Sequence, residues 1–257
     1  MKRLAFITGA SSGIGQALAA RFHAAGYDLA LIARRTVEIE AWAVKRKIDS
    51  ERCQIYSADM TQIDSIVAAG GACLKRQGVP DVVIASAGIS IGIDTAERGD
   101  LDVFTRLLAI NNVGMAATFH PFVQAMRARG SGRLVGIGSV AAIRGLPGHG
   151  AYCASKAGVV AYCESLRAEL HGSGVKVVTI SPGYIDTPLT RGNRYRMPFL
   201  MQPDDFADKA FHAIEAGTSY RVIPWQMGVA AKVLRVLPNA LFDRVVQGRG
   251  RKRRAVE

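Results

Sequence analysis

Residues Tyr152-Cys153-Ala154-Ser155-Lys156 place a phenol and an ammonium four positions apart, which on a helix puts both on one face. A free tyrosine loses its proton at about pH 10. A fixed positive charge beside it favours the phenolate and lowers that value. Such a pair can exchange a proton with a carbonyl or hydroxyl near neutral pH. The same spacing also decorates solvated helix faces, so its meaning depends on what the chain gathers around it.

The elements that would position this pair follow in chain order. An apolar run, Leu4 to Thr8, ends in Thr8-Gly9-Ala10-Ser11-Ser12-Gly13-Ile14-Gly15, and Ala17, Leu18, Ala19, Phe22 and Ala25 then carry a helical period. This is strand, glycine turn, helix. Gly9 permits the tight turn, Gly13 lets backbone approach a ligand, and Gly15 lets helix pack near strand, so that the helix N-terminus faces a pyrophosphate. The spacing Gly-x3-Gly-x-Gly departs from the Gly-x-Gly-x2-Gly dinucleotide fingerprint. A second strand, Asp28 to Ala33, ends at Arg34-Arg35, beside the adenosine ribose of a dinucleotide site. An acid there would hold a 2′-hydroxyl, whereas an arginine accommodates a 2′-phosphate. NADP(H) is therefore favoured over NAD(H), with Arg34 the better candidate because Arg35 also suits the start of a solvated helix.

A third strand, Cys53 to Ala58, closes on Asp59-Met60, with Thr61 expected to cap a helix reaching Gln77. Asp81 to Ala85 forms a fourth strand running into Ser86-Ala87-Gly88, small residues that leave room for a flat ligand. Helical pattern from Arg98 to Arg129 is broken at Asn111-Asn112-Val113-Gly114, and a fifth strand, Arg133 to Gly138, ends at Ser139. Ligands of open α/β sheets collect outside the carboxyl ends of the strands, so Ser139 is expected within reach of Tyr152. The helix bearing Tyr152 and Lys156 continues to Leu170. A sixth strand, Val175 to Ser181, closes at Pro182-Gly183. Tyr184 to Gln202 is too long for an ordinary connection and reads as a substrate lid. Pro203 starts a helix to Glu215, and Tyr220 to Pro224 makes the last strand.

The 257 residues, 49% of them hydrophobic, suffice for one large domain. Alternating strand and helix without a composition break predicts a single doubly wound α/β domain over 1–224, of Rossmann type, with the lid at 184–202. Cysteines 53, 73, 153 and 163 show no zinc spacing and read as reduced thiols, and no metal site is expected. The opening Met1-Lys2-Arg3 and its short apolar run fit neither a signal peptide nor a membrane span, which predicts a cytoplasmic protein. Lysine and arginine number 33 against 21 acids, a net charge of +12, partly from Arg249-Gly250-Arg251-Lys252-Arg253-Arg254. That excess suits phosphorylated ligands, acidic carriers, anionic lipid or nucleic acid, nucleic acid being the least favoured. The tail, 248–257, reads equally as a disordered solubilising end.

Assembled in this order, the motifs resemble the short-chain dehydrogenase/reductase family, over residues 3 to 224. The resemblance implies a seven-stranded parallel sheet between helix layers and an NADP(H)-dependent oxidoreductase interconverting a ketone and a secondary alcohol. It implies Tyr152 as general acid in reduction and base in oxidation, and Lys156 as the group that lowers its pKa and binds the nicotinamide ribose. Ser139 would hold the substrate oxygen, and Asn111 would maintain a water-linked proton path to Lys156. Gly9, Ser11, Ser12, Gly13, Ile14 and Gly15 would cradle the cofactor, Asp59 and Met60 bracket adenine, and Pro182, Gly183, Ile185 and Thr187 lie beside the nicotinamide. Where family members commonly carry Asn-Ala-Gly, this chain has Ser86-Ala87-Gly88. The resemblance also implies a homodimer or homotetramer.

Beyond Pro224 the family pattern gives no guidance. Residues 225–247 are apolar, punctuated by Lys232, Arg235 and Arg244, and Pro238 divides them into two short helices, neither near the roughly 20 apolar residues of a membrane span. Packing against the crevice or a partner subunit, or peripheral contact with a membrane surface, are the readings open to this extension. With lid residues Met197, Phe199, Leu200 and Met201 it leans toward a hydrophobic or acyl-type substrate. Arg191, Asn193, Arg194 and Arg196 keep a polyol or sugar dehydrogenase in view. A non-catalytic dinucleotide sensor is the alternative from another class, although it would have no need of Ser139, Tyr152 and Lys156.

Overall fold

The computed structural model describes residues 2–193, 195–248 and 250–254; Arg194 of the lid and Arg249 of the basic run lie outside the described residues. Seven strands, β1 (Leu4–Thr8), β2 (Asp28–Ala33), β3 (Cys53–Ser57), β4 (Val82–Ala85), β5 (Gly132–Ile137), β6 (Val175–Pro182) and β7 (Tyr220–Ile223), make one sheet. Every pairing is parallel, in the order β3-β2-β1-β4-β5-β6-β7. The order reverses between β1 and β4. Connections therefore leave in opposite directions at that point, and a crevice opens beyond the carboxyl ends of those strands.

Strands buried on both faces need apolar residues at every position, which is why Leu4 to Thr8 carries no polar alternation. Ala5 and Ile7 face one layer, built by α1 (Gly13–Ala24), α2 (Thr36–Lys45) and α8 (Pro203–Glu215) through Leu18, Phe22, Ile39, Trp42, Phe206 and Phe211. Leu4 and Phe6 face the other, built by α3 (Ile63–Gln77), α5 (Gly114–Arg129) and α6 (Gly150–Glu169) through Ile66, Phe119, Phe122 and Val159. Two cores thus clamp one sheet and fix the height of every strand end.

The expected strand limits agree with the observed ones to within one residue. The start of α3 differs: it begins at Ile63 after Gln62, and Thr61 is not its cap. Thr61 is instead held by Asp59, whose Oδ1 accepts from its N–H at 2.9 Å and its hydroxyl at 2.8 Å. The carboxylate closes a local turn and delays the helix. The interruption at Asn111 is likewise no loop. α4 (Arg98–Leu108) passes through a π-helical turn, Ala109–Val113, directly into α5, and this wider turn buries Asn111.

The lid is pinned at its base, where Met201 N–H donates to Tyr184 O at 3.0 Å and Asp186 N–H to Met201 O at 2.9 Å. Between these points it holds one short turn, α7 (Pro188–Arg191). The extension forms α9 (Trp225–Val236) and α10 (Asn239–Val246), separated at Pro238 as expected. Arg144, in the loop between β5 and α6, donates to the carbonyls of Leu234, Arg235 and Leu237 and to Asn239 Oδ1, and lies 3.8 Å from the Phe242 ring centre. These are carbonyls that the end of α9 leaves without intrahelical partners. One guanidinium thereby fastens the extension over the catalytic side of the sheet.

The described part of the tail lies against the body of the protein. Gly92 N–H donates to Arg253 O at 2.8 Å, and Arg254 Nε to Asp100 Oδ2 at 2.7 Å. Asp100 is 2% exposed. The tail covers this carboxylate, and its guanidinium holds it below the usual carboxylate range.

Candidate active site

A cleft of about 650 Å³ opens along the carboxyl ends of the strands. At one end lies the β1–α1 turn. Gly9 (φ +69°) and Gly13 (φ +58°) occupy left-handed backbone that a side chain would strain. A Cβ at Gly9 would stand 2.8 Å from Ala87 Cα, and one at Gly15 2.3 Å from Gly9 O, so these turns meet backbone to backbone. Ser12 precedes α1 without making a side-chain cap, and the first turn holds no acid. Its first N–H groups therefore suit an anion. Ser11, Ser12, Ile14, Ser86, Ala87 and Gly88 line the cleft beside them.

Arg34 and Arg35 both line the cleft, and they differ in employment. Arg35 pairs with Glu38 at 2.9 Å, whereas Arg34 reaches only 4.0 Å from Asp59 Oδ2. The hydrogen bonds from Thr61, with Arg34 and Arg106 nearby, hold the Asp59 carboxyl below its usual range. Met60 lies next to it on the wall. The serine in place of the family asparagine leaves the β1–β4 junction joined by another group: Thr8 Oγ1 accepts from Ala87 N–H at 3.3 Å and donates to Ile84 O at 3.4 Å.

At the other end, Ser139 follows β5 and its Oγ accepts from Ala141 N–H at 3.1 Å. Burial pushes the phenol of Tyr152 up to about 12, and the nearby Ser139 hydroxyl, which favours ionisation, offsets this only in part. Lys156 is 6% exposed; burial lowers its ammonium to about 8. Its Nζ donates to Ile137 O at 2.8 Å and stands 5.9 Å from the centre of the Tyr152 ring. Desolvation dominates both groups, and the lysine is turned to the strand end. Tyr152 is held in its acid form across the neutral range.

Asn111 is the one expected catalytic residue absent from the cleft wall. Its Oδ1 accepts from Ile89 N–H at 2.9 Å, and its Nδ2 donates to Ile89 O at 3.1 Å and Ser155 Oγ at 2.9 Å. A Cβ at Gly88 would lie 3.1 Å from this Oδ1 and 3.5 Å from Lys156 Nζ, so Gly88 separates the two. Pro182, Gly183, Ile185 and Thr187 line the far wall, where a Cβ at Gly183 would meet Met227 Cγ at 2.8 Å.

At the other end of the cleft, within and beside the expected lid and extension, sequence reasoning did not single out Arg144, Leu146, His149, Tyr184, Tyr195, the inner face of α9 (Met227, Ala230, Ala231, Leu234) or Lys252 of the tail. Of Met197, Phe199, Leu200 and Met201, Phe199 lines the cleft and Met201 packs against the core, while Leu189 and Pro198 add apolar surface from the lid. Spacing alone could have flagged α9, whose Met227, Ala230, Ala231 and Leu234 keep a helical period.

The short chain dehydrogenase family matches this chain over residues 3–197. This chain belongs to that family. It is therefore an oxidoreductase, as the relatives bear out: a Myxococcus xanthus protein named an uncharacterized oxidoreductase is 36% identical over 241 residues, covering 94% of this chain and 95% of that one. A short-chain dehydrogenase from Sphingobium yanoikuyae, solved in complex with NADPH, is 26% identical with a TM-score of 0.77, covering 93% of this chain and 97% of that one. A 3-ketoacyl-(acyl-carrier-protein) reductase from Brucella melitensis, solved with NADH, is 26% identical with a TM-score of 0.77, covering 86% and 96%.

Lys156 has a consequence for stability. Its pKa falls from 10.5, the value of a free lysine side chain, to about 8 in the fold. Between those values the unfolded chain binds more protons, so stability rises with pH through that window, and the full cost of burying the charge is present below it. Lys156→Met should abolish turnover yet raise the melting temperature near neutral pH by several degrees, at about 2–4 °C per kcal/mol for a chain of this size. The gain should shrink as pH rises past 8. Calorimetric melting of both proteins across pH checks this.

Proposed function

We propose that this protein is an NADP(H)-dependent oxidoreductase interconverting a ketone and a secondary alcohol on a hydrophobic or acyl-type substrate. The observation that carries the reading is the convergence of Ser139, Tyr152 and the buried Lys156 on one end of the cleft. The glycine cradle and uncapped start of α1 fit a dinucleotide, held by Gly9 to Gly15, Asp59, Met60, Gly88 and Thr187. When bound, it supplies the hydride for reduction and accepts it in oxidation. Tyr152 gives its proton to the developing oxyanion, and Ser139 donates a second hydrogen bond to that oxygen. In oxidation the phenolate takes the proton, at a cost set by its raised pKa. Lys156 supplies the nearby positive charge. Asn111, through Ser155 and the Ile89 backbone, keeps the surroundings of Lys156 in place and a water path open to it.

Arg34 at the end of β2, without a competing acid at that strand end, supports a 2′-phosphate and hence NADP(H). The apolar inner face of α9 supports a hydrophobic or acyl chain, in keeping with the ketoacyl reductase among the structural relatives. A polyol dehydrogenase is less well supported. Arg191 is turned away to Asp186, Arg196 is exposed outside the cleft wall, and Asn193 is bonded to Lys252.

The outer face of α9 exposes Trp225, Val229, Val233 and Val236, with Lys232 and Arg235 alongside; Trp225 is 67% and Val236 79% exposed. No helix among the described residues is long and apolar enough to cross a membrane. This apolar stripe flanked by cations, on a chain of net charge +12, supports peripheral contact of a cytoplasmic protein with an anionic lipid surface.

Tyr152→Phe should cut NADPH-dependent reduction of ketones and 3-oxoacyl thioesters by about 10²- to 10⁴-fold. NADPH affinity should stay within about twofold. Turnover near the wild-type rate would refute the acid assignment. Arg34→Ala should raise the dissociation constant for NADPH by about tenfold while moving that for NADH little; equal effects in fluorescence titrations would refute the cofactor preference. Trp225→Glu with Val233→Glu should abolish co-sedimentation with phosphatidylglycerol vesicles. If the wild type ignores vesicles and light scattering instead shows the double variant losing a dimer or tetramer, a second copy covers this face.

A further inference from the structure

The basic tail crosses the mouth of the cleft from one rim to the other. On one rim Lys252 Nζ donates to Leu189 O at 3.0 Å and Asn193 Oδ1 at 2.6 Å, both at the lid turn. On the other, Arg254 is bidentate on Asp100, at 2.7 and 3.3 Å, and Arg251 reaches Asp94 at 3.4 Å. The surface is shaped to receive it. A Cβ at Gly92 would stand 2.1 Å from Lys252 O, and one at Gly148 2.9 Å from Arg251 Cβ. Asp94 N–H also donates to Asp100 Oδ2 at 2.7 Å, so the acceptor carboxylate is held from its own side as well.

Between its anchors the tail presents Lys252 to the cleft, whose wall includes it. An ammonium has three donors, and two are spent on the lid. The charged lining of the cleft is otherwise Arg34, Arg35, Arg106, Arg144 and Lys156, against Asp59 as its acid. Arg34, Arg35 and Arg106 lie at the dinucleotide end, Arg34 and Arg106 near Asp59, while Arg144 is bound to the end of α9 and Lys156 to the strand. Among the described residues that line the cleft, Lys252 is the cation at the mouth with a donor left for a ligand.

We propose that the C-terminal tail is part of the substrate site: a strap latched by Asp100 that roofs the cleft and presents Lys252 to an anionic group, a carboxylate or phosphate ester, at the end of the substrate remote from its carbonyl. This rests on the reading of the cleft as a ketone site and adds to it a charge at the entrance. An apolar chain along α9 and an anion under the strap together describe an amphiphilic keto compound.

Binding can be measured without turnover, which separates this proposal from the reaction itself. Titration calorimetry with levulinate and longer keto acids, each against its methyl ester, should show the wild type preferring acid to ester for at least one chain length. Lys252→Ala should weaken binding of that acid by about tenfold, with a much smaller loss for the ester, and Lys252→Arg should restore most of the difference. Asp100→Asn leaves the tail sequence intact; it should weaken acid binding similarly and speed tryptic cleavage after Arg251, read by mass spectrometry. A long-chain phosphate monoester in place of the acid identifies which anion is preferred. No acid-over-ester preference in the wild type, equal losses for acid and ester in Lys252→Ala, or equal tail cleavage in Asp100→Asn and wild type would each overturn the proposal.

Discussion

A lysine ammonium buried at the end of β5 is the constraint on which the site depends. Burial makes its charge costly, and the protein answers with a backbone carbonyl, Ile137 O, placed by a strand that two cores hold still. A carbonyl dipole compensates an ammonium only in part, which is why the proton on Lys156 is held loosely while that on Tyr152 is held tightly. Both follow from one low-dielectric setting acting on a cation acid and a neutral acid with opposite sign. The helix carrying them has little freedom to slide, since Ser155 is bonded to Asn111 and the Ser155 carbonyl to Asn112 Nδ2 at 2.8 Å. The π-helical turn exists at the point where those two side chains must face α6 together.

The large positive charge of the chain is partly consumed in construction. Arg144 closes the end of α9, Arg129 donates to the Val79 and Pro80 carbonyls beyond α3, and Arg254 neutralises Asp100. Arginine suits this work because its planar fork serves several acceptors at once and keeps its charge when partly buried. A count of basic residues therefore overstates the field offered to a polyanion. What reaches the ligand is the smaller set that lines the cleft.

How much could be read beforehand followed the range of the interaction. Strand limits fell within a residue because burial on both faces imposes an unbroken apolar run, and each helix carries its own period. Gly9, Gly13 and Gly15 were legible because a turn is fixed by neighbours in sequence. Thr61 was misplaced for a local reason as well: Asp59 two positions earlier competes for its N–H and hydroxyl. The pairing of Arg144 with α9 and of Arg254 with Asp100 spans 90 to 154 positions and leaves no period to detect. Tail composition speaks of solvation alone and is silent on Asp100, which Arg254 meets. The desolvation of Tyr152 and Lys156 was not legible, because spacing reports which groups share a face, whereas burial depends on how much water the fold removes.

This division of range has a functional counterpart. The end of the cleft suited to a dinucleotide is made of β–α turns close to their strands, all within the segment that matches the family. The opposite end is assembled from the lid, α9 and the tail, and Met227, Leu234 and Lys252 lie beyond residue 197, where that match stops. On the proposed reading, chemistry and substrate choice thus sit on separately variable parts of one chain. Substitutions in α9 or the tail can reshape the pocket without touching the Ile137 carbonyl that holds Lys156, and a change at β5 would disturb the reaction for every substrate. Selection for a new substrate therefore has a route through residues 225–254 that leaves the catalytic geometry intact, because no residue of that segment hydrogen-bonds to Ser139, Tyr152 or Lys156 among the described contacts.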